Sequence, residues 1–226
     1  MRTVLSFDEI HKPRSLPFEQ YFGEMDLSGR QKEERIELAK DLEARLLYFM
    51  DAVALYLNDG VGDTTQLLTL LITEFEEAFN ENRIEEKASV VPDVIADLLY
   101  RVDDDFVHLF SVRFAQEILD STLRNIEKPE TLSADRAKLI AEEDANTVYN
   151  RVEFVKAVRK GKTHKRWITQ RDSKVRATHK AVDSKAIPIA DYFTVGNARM
   201  LYPRDIVNGG MYPEEIVNCR CTCIYY

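Results

Sequence analysis

The chain has 226 residues and a mass of 26.2 kDa, with 45% hydrophobic and 31% charged side chains and a formal net charge of −8; one domain or two small ones of this size bury a core without disulfide staples. No uninterrupted apolar run approaches the roughly 18 residues of a membrane-spanning helix, and MRTVLSFDEIHKPRSLPF lacks the basic start, apolar stretch and small-residue cleavage site of a secretory leader. The expectation is a soluble chain with no membrane partner, and three cysteines crowded into five positions exclude a disulfide framework, in keeping with a reducing, cytosol-like place of synthesis.

Residues 1–30, with Pro13, Pro17 and the turn-like pair Ser28-Gly29, read as an extended arm. From Gln31 to Asn58 apolar residues recur at Ile36, Ala39, Leu42, Leu46, Phe49, Met50, Val53 and Leu57, the spacing of one helical face, and Asn58-Asp59-Gly60 stops it. A second helix is predicted from about Thr64 to Asn82 through Leu67, Leu71, Phe75 and Phe79, with Glu74, Glu76 and Glu77 on the wet side. Pro92 opens a third. The acidic run Asp103 to Asp105 then suits the N-terminus of a helix whose apolar face is Phe106, Leu109, Phe110, Phe114 and Ile118. A divalent cation on that run is the alternative.

Beyond Lys128-Pro129, Ser133 is a good N-cap for a long helix with one seam of Ala137, Ala141, Ala145, Val148, Val152 and Val155, ending at Gly161. The period then changes: WIT, YFTV, MLY and EEIVNCRCTCIYY, separated by Asp, Gly, Pro and Asn, read as short strands. The fold class is therefore α+β: a helical region over 31–130, then a domain over 131–226 made of the long helix and a small, mainly antiparallel sheet.

Charge divides along the same line. Residues 1–130 hold 14 Lys and Arg against 28 Asp and Glu, and residues 131–226 hold 17 against 11, so the two parts carry −14 and +6. Such asymmetry suits different neighbours, the second part tolerating a polyanion, although two solvated surfaces of opposite sign explain it as simply. Between Lys162 and Lys180 there are seven basic residues and one Asp. Lys162, Lys165, Arg166, Arg171 and Lys174 are candidate phosphate contacts, with Trp167 among them as a stacking platform or, more simply, a core residue.

In KRWITQRDSKVRATHKAVD, a compact loop after Asp172 brings Asp172, Arg176 and His179 face to face, and His179 with Asp183 has the makings of an oriented general base. No nucleophile stands beside it, so a structural polar knot is favoured over catalysis.

These stretches resemble a known family. RAKLIAEEDANTVYN from Arg136, then KRWITQRDSKVRATHKAVD, LYPRD and EEIVNCRC are similar in order and spacing to the Mu F-like phage head morphogenesis domain of minor head proteins. The matching positions are Arg136, Ala137, Ile140 and Ala141, then Trp167, Asp172, Val175, Arg176, His179 and Asp183, then Tyr202, Pro203 and Asp205, and last Asn218, Cys219, Arg220 and Cys221. Ser184 and Arg204 stand where the family usually has glycine, which puts the shape of both loops in question.

The resemblance implies a structural minor head protein, made in the host cytoplasm and located in the phage head interior near the portal. It would act in head morphogenesis and in retention or ejection of packaged DNA. Implied partners are the portal protein, with scaffold or major capsid protein and packaged double-stranded DNA as further ones; the helices before residue 130 would face the portal. The competing class is a nucleic-acid-processing or toxin-like enzyme using His179, Arg176 and Asp172.

Cys219, Cys221 and Cys223 alternate. In a regular strand they line one face with neighbours about 6.6 Å apart, too far for one zinc to bind all three and badly aimed for a disulfide. Buried packing is the favoured reading, with a zinc site made of His179, Cys219 and Cys221 as the alternative and no other cofactor expected.

Overall fold

The computed structural model describes residues 17–23, 25–84, 87 and 106–226. The helix expected after Pro92 and the run Asp103 to Asp105 lie outside them. The described chain is α+β, as the element order predicts. It runs α1 (Phe18–Gly23), α2 (Gly29–Asp59), α3 (Thr64–Glu81), α4 (Phe106–Arg124), a 3-10 turn (Pro129–Leu132) and α5 (Ala134–Arg159). Then follow β1 (His164–Ile168), α6 (Ala177–Lys180), β2 (Ala186–Pro188), β3 (Phe193–Val195), β4 (Ala198–Met200), α7 (Pro213–Ile216) and β5 (Thr222–Tyr225).

Local chemistry sets the helix ends. Ser28 with Gln31, and Asp63 with Gln66, form reciprocal capping boxes that satisfy first-turn N–H groups. α2 stops at Gly60, whose φ of 67° is left-handed. Ser133 caps α5 through Arg136 N, as its position predicts. Residues 18–23, expected within an extended arm, are instead helical: Phe18 and Phe22 lie one turn apart and are both buried.

α5 is the central element. Its predicted seam from Ala137 to Val155 is fully buried, and so are many polar residues on its other faces, because α2 packs along one side and the C-terminal segments along another. One apolar core runs from Phe18 through all the long helices to Cys223. The sheet is β2-β1-β5, antiparallel throughout, with Trp167 opposite Cys223 and Lys165 opposite Tyr225. β3 and β4 form a hairpin closed by Gly196 and Asn197, and Gly196 has the positive φ of 57° that so short a turn requires.

One expectation fails at the end of the chain. EEIVNCRCTCIYY is not one strand: Pro213 opens the short helix α7, Asn218 turns the backbone at φ 58°, and the regular strand begins only at Thr222. Cys219 and Cys221 therefore sit on irregular backbone, free of the spacing that a strand would impose.

Candidate functional site

Trp167, Asp172, Arg176, His179, Asn218, Cys219, Arg220 and Cys221 gather where α6, α7 and the Asn218–Cys221 segment meet α5. Three buried groups stand at the centre. His179 Nδ1 lies 3.4 Å from Cys221 Sγ and 3.6 Å from Cys219 Sγ, and the three atoms are all within 4.8 Å of one another. His179 Nε2 lies 3.0 Å from Glu215 Oε2, which also accepts from Thr178 Oγ1 at 2.8 Å. The Trp167 ring meets the imidazole edge to face at 5.8 Å.

Neighbouring groups hold this cluster from outside. Asn146 and Asn150 of α5 donate to the carbonyls of Cys219 and Cys221, each at 3.4 Å. The two sulfurs share polarity unequally: the hydrogen bond with Cys221 holds Cys219 well below the usual thiol range against its burial, and the same bond, with burial, pushes Cys221 up. Cys223 stands apart, opposite Trp167 in the sheet, and burial raises its thiol.

The polar knot expected in this loop exists, with different partners. Asp172, Arg176 and His179 do not face one another. Asp172 pairs with Arg220, which lowers the carboxyl, and Arg176 donates to the Val217 carbonyl. Asp183 does not orient His179: it accepts from Thr169 N and Oγ1 at 2.8 and 3.0 Å and pairs with Arg171 at 3.1 Å. The carboxylate beside His179 is Glu215, a residue that the sequence reading did not single out.

The remaining signature residues fasten backbone. Arg136 donates to Thr122 Oγ1, the Thr131 carbonyl and Ser121 Oγ at 2.8–2.9 Å, tying α5 to the end of α4. Asp205, buried beside Pro203, accepts from Leu201 N, Val207 N and Asn208 N. Ser184 and Arg204, where glycine was expected, have φ of 61° and 60°, so both loops take up the left-handed backbone that favours glycine. Arg204 puts its side chain to use there: buried, it donates to Thr147 Oγ1 at 2.6 Å and to the carbonyls of Ile216 and Cys219.

Of the five candidate phosphate contacts, Lys162, Arg166, Arg171 and Lys174 are exposed. Lys165 is not available. It shares the inward face of β1 with Trp167, is fully buried, and donates to the Leu201 carbonyl at 2.6 Å under the rings of Phe154 and Phe193; burial lowers its pKa to about 8. Period-two alternation carried that signal already, since a buried Trp167 implies a buried residue two positions earlier.

A cleft of about 380 Å³ opens between Tyr21, Glu142 and Glu143 on one wall and Lys174, Arg176 and Arg220 on the other. A smaller cavity of about 20 Å³ adjoins it against His179, Cys219 and Cys221, sharing the basic wall and Asn218.

No curated protein and no solved structure matches the chain. Residues 115–224 match the family model described as Phage Mu protein F like protein, a span that takes in α5, the run from Trp167 to Asp183, the Tyr202–Asp205 turn and the cysteine pair, and over that span the chain is similar to this family, which implies a phage head morphogenesis protein.

Proposed function

We propose that this protein is a structural minor head protein that joins the portal during assembly and ends in the head interior. The family match over residues 115–224 carries the reading. The use of the signature residues supports it, since Arg136, Asp172, Arg176, Asp183, Asp205 and Arg220 are spent on backbone and on one another, as in a scaffold built to hold a shape.

The acidic helical layer is the portal-facing side in this reading, with scaffold or major capsid protein as secondary contacts. The exposed cations Lys162, Arg166, Arg171 and Lys174 give the other side tolerance for packaged double-stranded DNA, whose attraction to such a patch falls as salt rises.

Co-sedimentation with assembled portal oligomers tests the role. Wild type should sediment with them, and Glu33→Lys/Glu37→Lys, on an exposed turn of α2, should weaken the association without unfolding the chain. Deleting the helical region would be uninformative because α2 shares a core with α5. A folded wild type that ignores the portal would end the assignment.

A nucleic-acid-processing enzyme is the weaker reading, because Asp172 and Arg176 are committed to other partners and leave His179 without a second acid or base from that loop. A nuclease assay of wild type against His179→Ala separates the two; activity lost in the variant would favour the enzyme.

A further inference from the structure

The geometry points to a zinc-type metal site formed by His179 Nδ1, Cys219 Sγ and Cys221 Sγ, with Glu215 fixing the imidazole and a fourth position open toward the small cavity. The argument begins with an excess of donors. Glu215 takes the proton of Nε2, which leaves one lone pair on Nδ1 facing two sulfurs at 3.4 and 3.6 Å. One lone pair can accept a hydrogen bond from one thiol, so two sulfurs at nearly equal distances exceed what Nδ1 can pair with, and only the Cys219–Cys221 hydrogen bond takes up the second.

A cation held by all three accounts for both near-equal distances at once. Tetrahedral zinc with Zn–N of about 2.0 Å and Zn–S of about 2.3 Å sets its imidazole nitrogen about 3.5 Å from each thiolate sulfur. The observed separations already have that size. The ligand set, two thiolates and an imidazole, is one that zinc accepts in preference to hard cations.

The surroundings fit as well. Metal-bound imidazoles commonly give their other N–H to a carboxylate, and here Thr178 holds that carboxylate in turn. Trp167 Nε1, buried and without a hydrogen-bond partner, adjoins the Cys221 sulfur, where a metal-bound thiolate would offer it an acceptor. The cavity of about 20 Å³ beside the three ligands has room for about one water, which suits a fourth ligand from solvent. Binding releases to solvent whatever protons the two sulfurs still carry and leaves the metal's oxidation state unchanged.

The site joins α6, α7 and the Asn218–Cys221 segment, three pieces that hold little regular structure of their own. Its role is that of a clasp, independent of the proposed place in the head. Cys223 lies outside it and serves as the internal control.

The test uses the full chain, purified under reducing conditions without chelator, for metal analysis and for titration with Zn²⁺ and Co²⁺. We expect one metal per chain and a cobalt spectrum with thiolate charge-transfer bands. Cys219→Ser and Cys221→Ser should lower bound metal at least about tenfold, Glu215→Gln should weaken affinity by about 10- to 100-fold, and Cys223→Ser should leave binding unchanged. If wild type with both thiols reduced takes up neither ion stoichiometrically, or if the Cys219→Ser/Cys221→Ser chain binds as much metal as wild type, the site does not exist.

Discussion

Glu215 Oε2 lies 3.0 Å from His179 Nε2, and both side chains are almost entirely buried. The carboxylate holds the imidazole from α7 across to α6, so its removal leaves a buried N–H without a partner. Glu215→Ala should cost about 1–3 kcal/mol in a denaturant titration, while Glu215→Gln, which keeps an acceptor oxygen, should cost less.

Gly196 reports on the same carboxylate. A Cβ built there would overlap Glu215 Oε1, and the left-handed φ penalises any side chain besides. Gly196→Ala should therefore destabilise the fold and also disturb His179, visible as a shift of its imidazole resonances. An Ala variant with unchanged His179 signals would refute the coupling.

Arg204 combines a strained backbone with a buried guanidinium. Arg204→Gly relieves a conformation that costs an L-residue about 1–2 kcal/mol, but strips the hydrogen bonds to Thr147, Ile216 and Cys219. The network outweighs the strain. The expected order of melting temperatures is wild type, then Arg204→Gly, then Arg204→Ala, which loses the network and keeps the strain.

Arg35 links the two charge regions. Its Nη1 lies 2.6 Å from Glu153 Oε1, and its other nitrogens reach Asn146 and Asn150, the residues that hold the Cys219 and Cys221 carbonyls. Arg35→Ala strands a buried carboxylate and should cost about 3–5 kcal/mol. Arg35→Met/Glu153→Leu, which removes both charges, should recover most of that loss in a double-mutant cycle.

Lys165 gives a pH dependence of known sign. Its pKa falls to about 8 in the folded chain through burial, below the ordinary lysine value, so above about pH 8 the unfolded chain holds the extra proton. Stability from this group rises with pH toward about 10, at no more than about 1.4 kcal/mol per pH unit. Denaturation of wild type and Lys165→Met at pH 7, 8, 9 and 10 should show wild type gaining on the variant across that window; a constant difference would contradict it.

The long helices were legible because their apolar residues recur on one face and their caps are local: Ser28, Asp63 and Ser133 act within three residues of themselves. α1 was legible in part, since Phe18 and Phe22 carry helical spacing after a proline, but a single turn has too few residues to reveal a period. The pairings expected among the candidate residues are not the ones that the fold makes. Asp172 and Arg220, or His179 and Glu215, lie tens of positions apart, and only the fold decides which carboxylate reaches which cation. The cysteine spacing misled because Asn218 takes the chain out of extended geometry just before the first thiol.

α5 gives one flank to the helical layer and another to the sheet segments, so neither side retains a complete apolar boundary without the other. Heating should then produce one cooperative transition for the whole chain, seen together by helical circular dichroism and by the fluorescence of Trp167. A partner that grips only the helices would thereby brace the distant cysteine loop, with no contact to it.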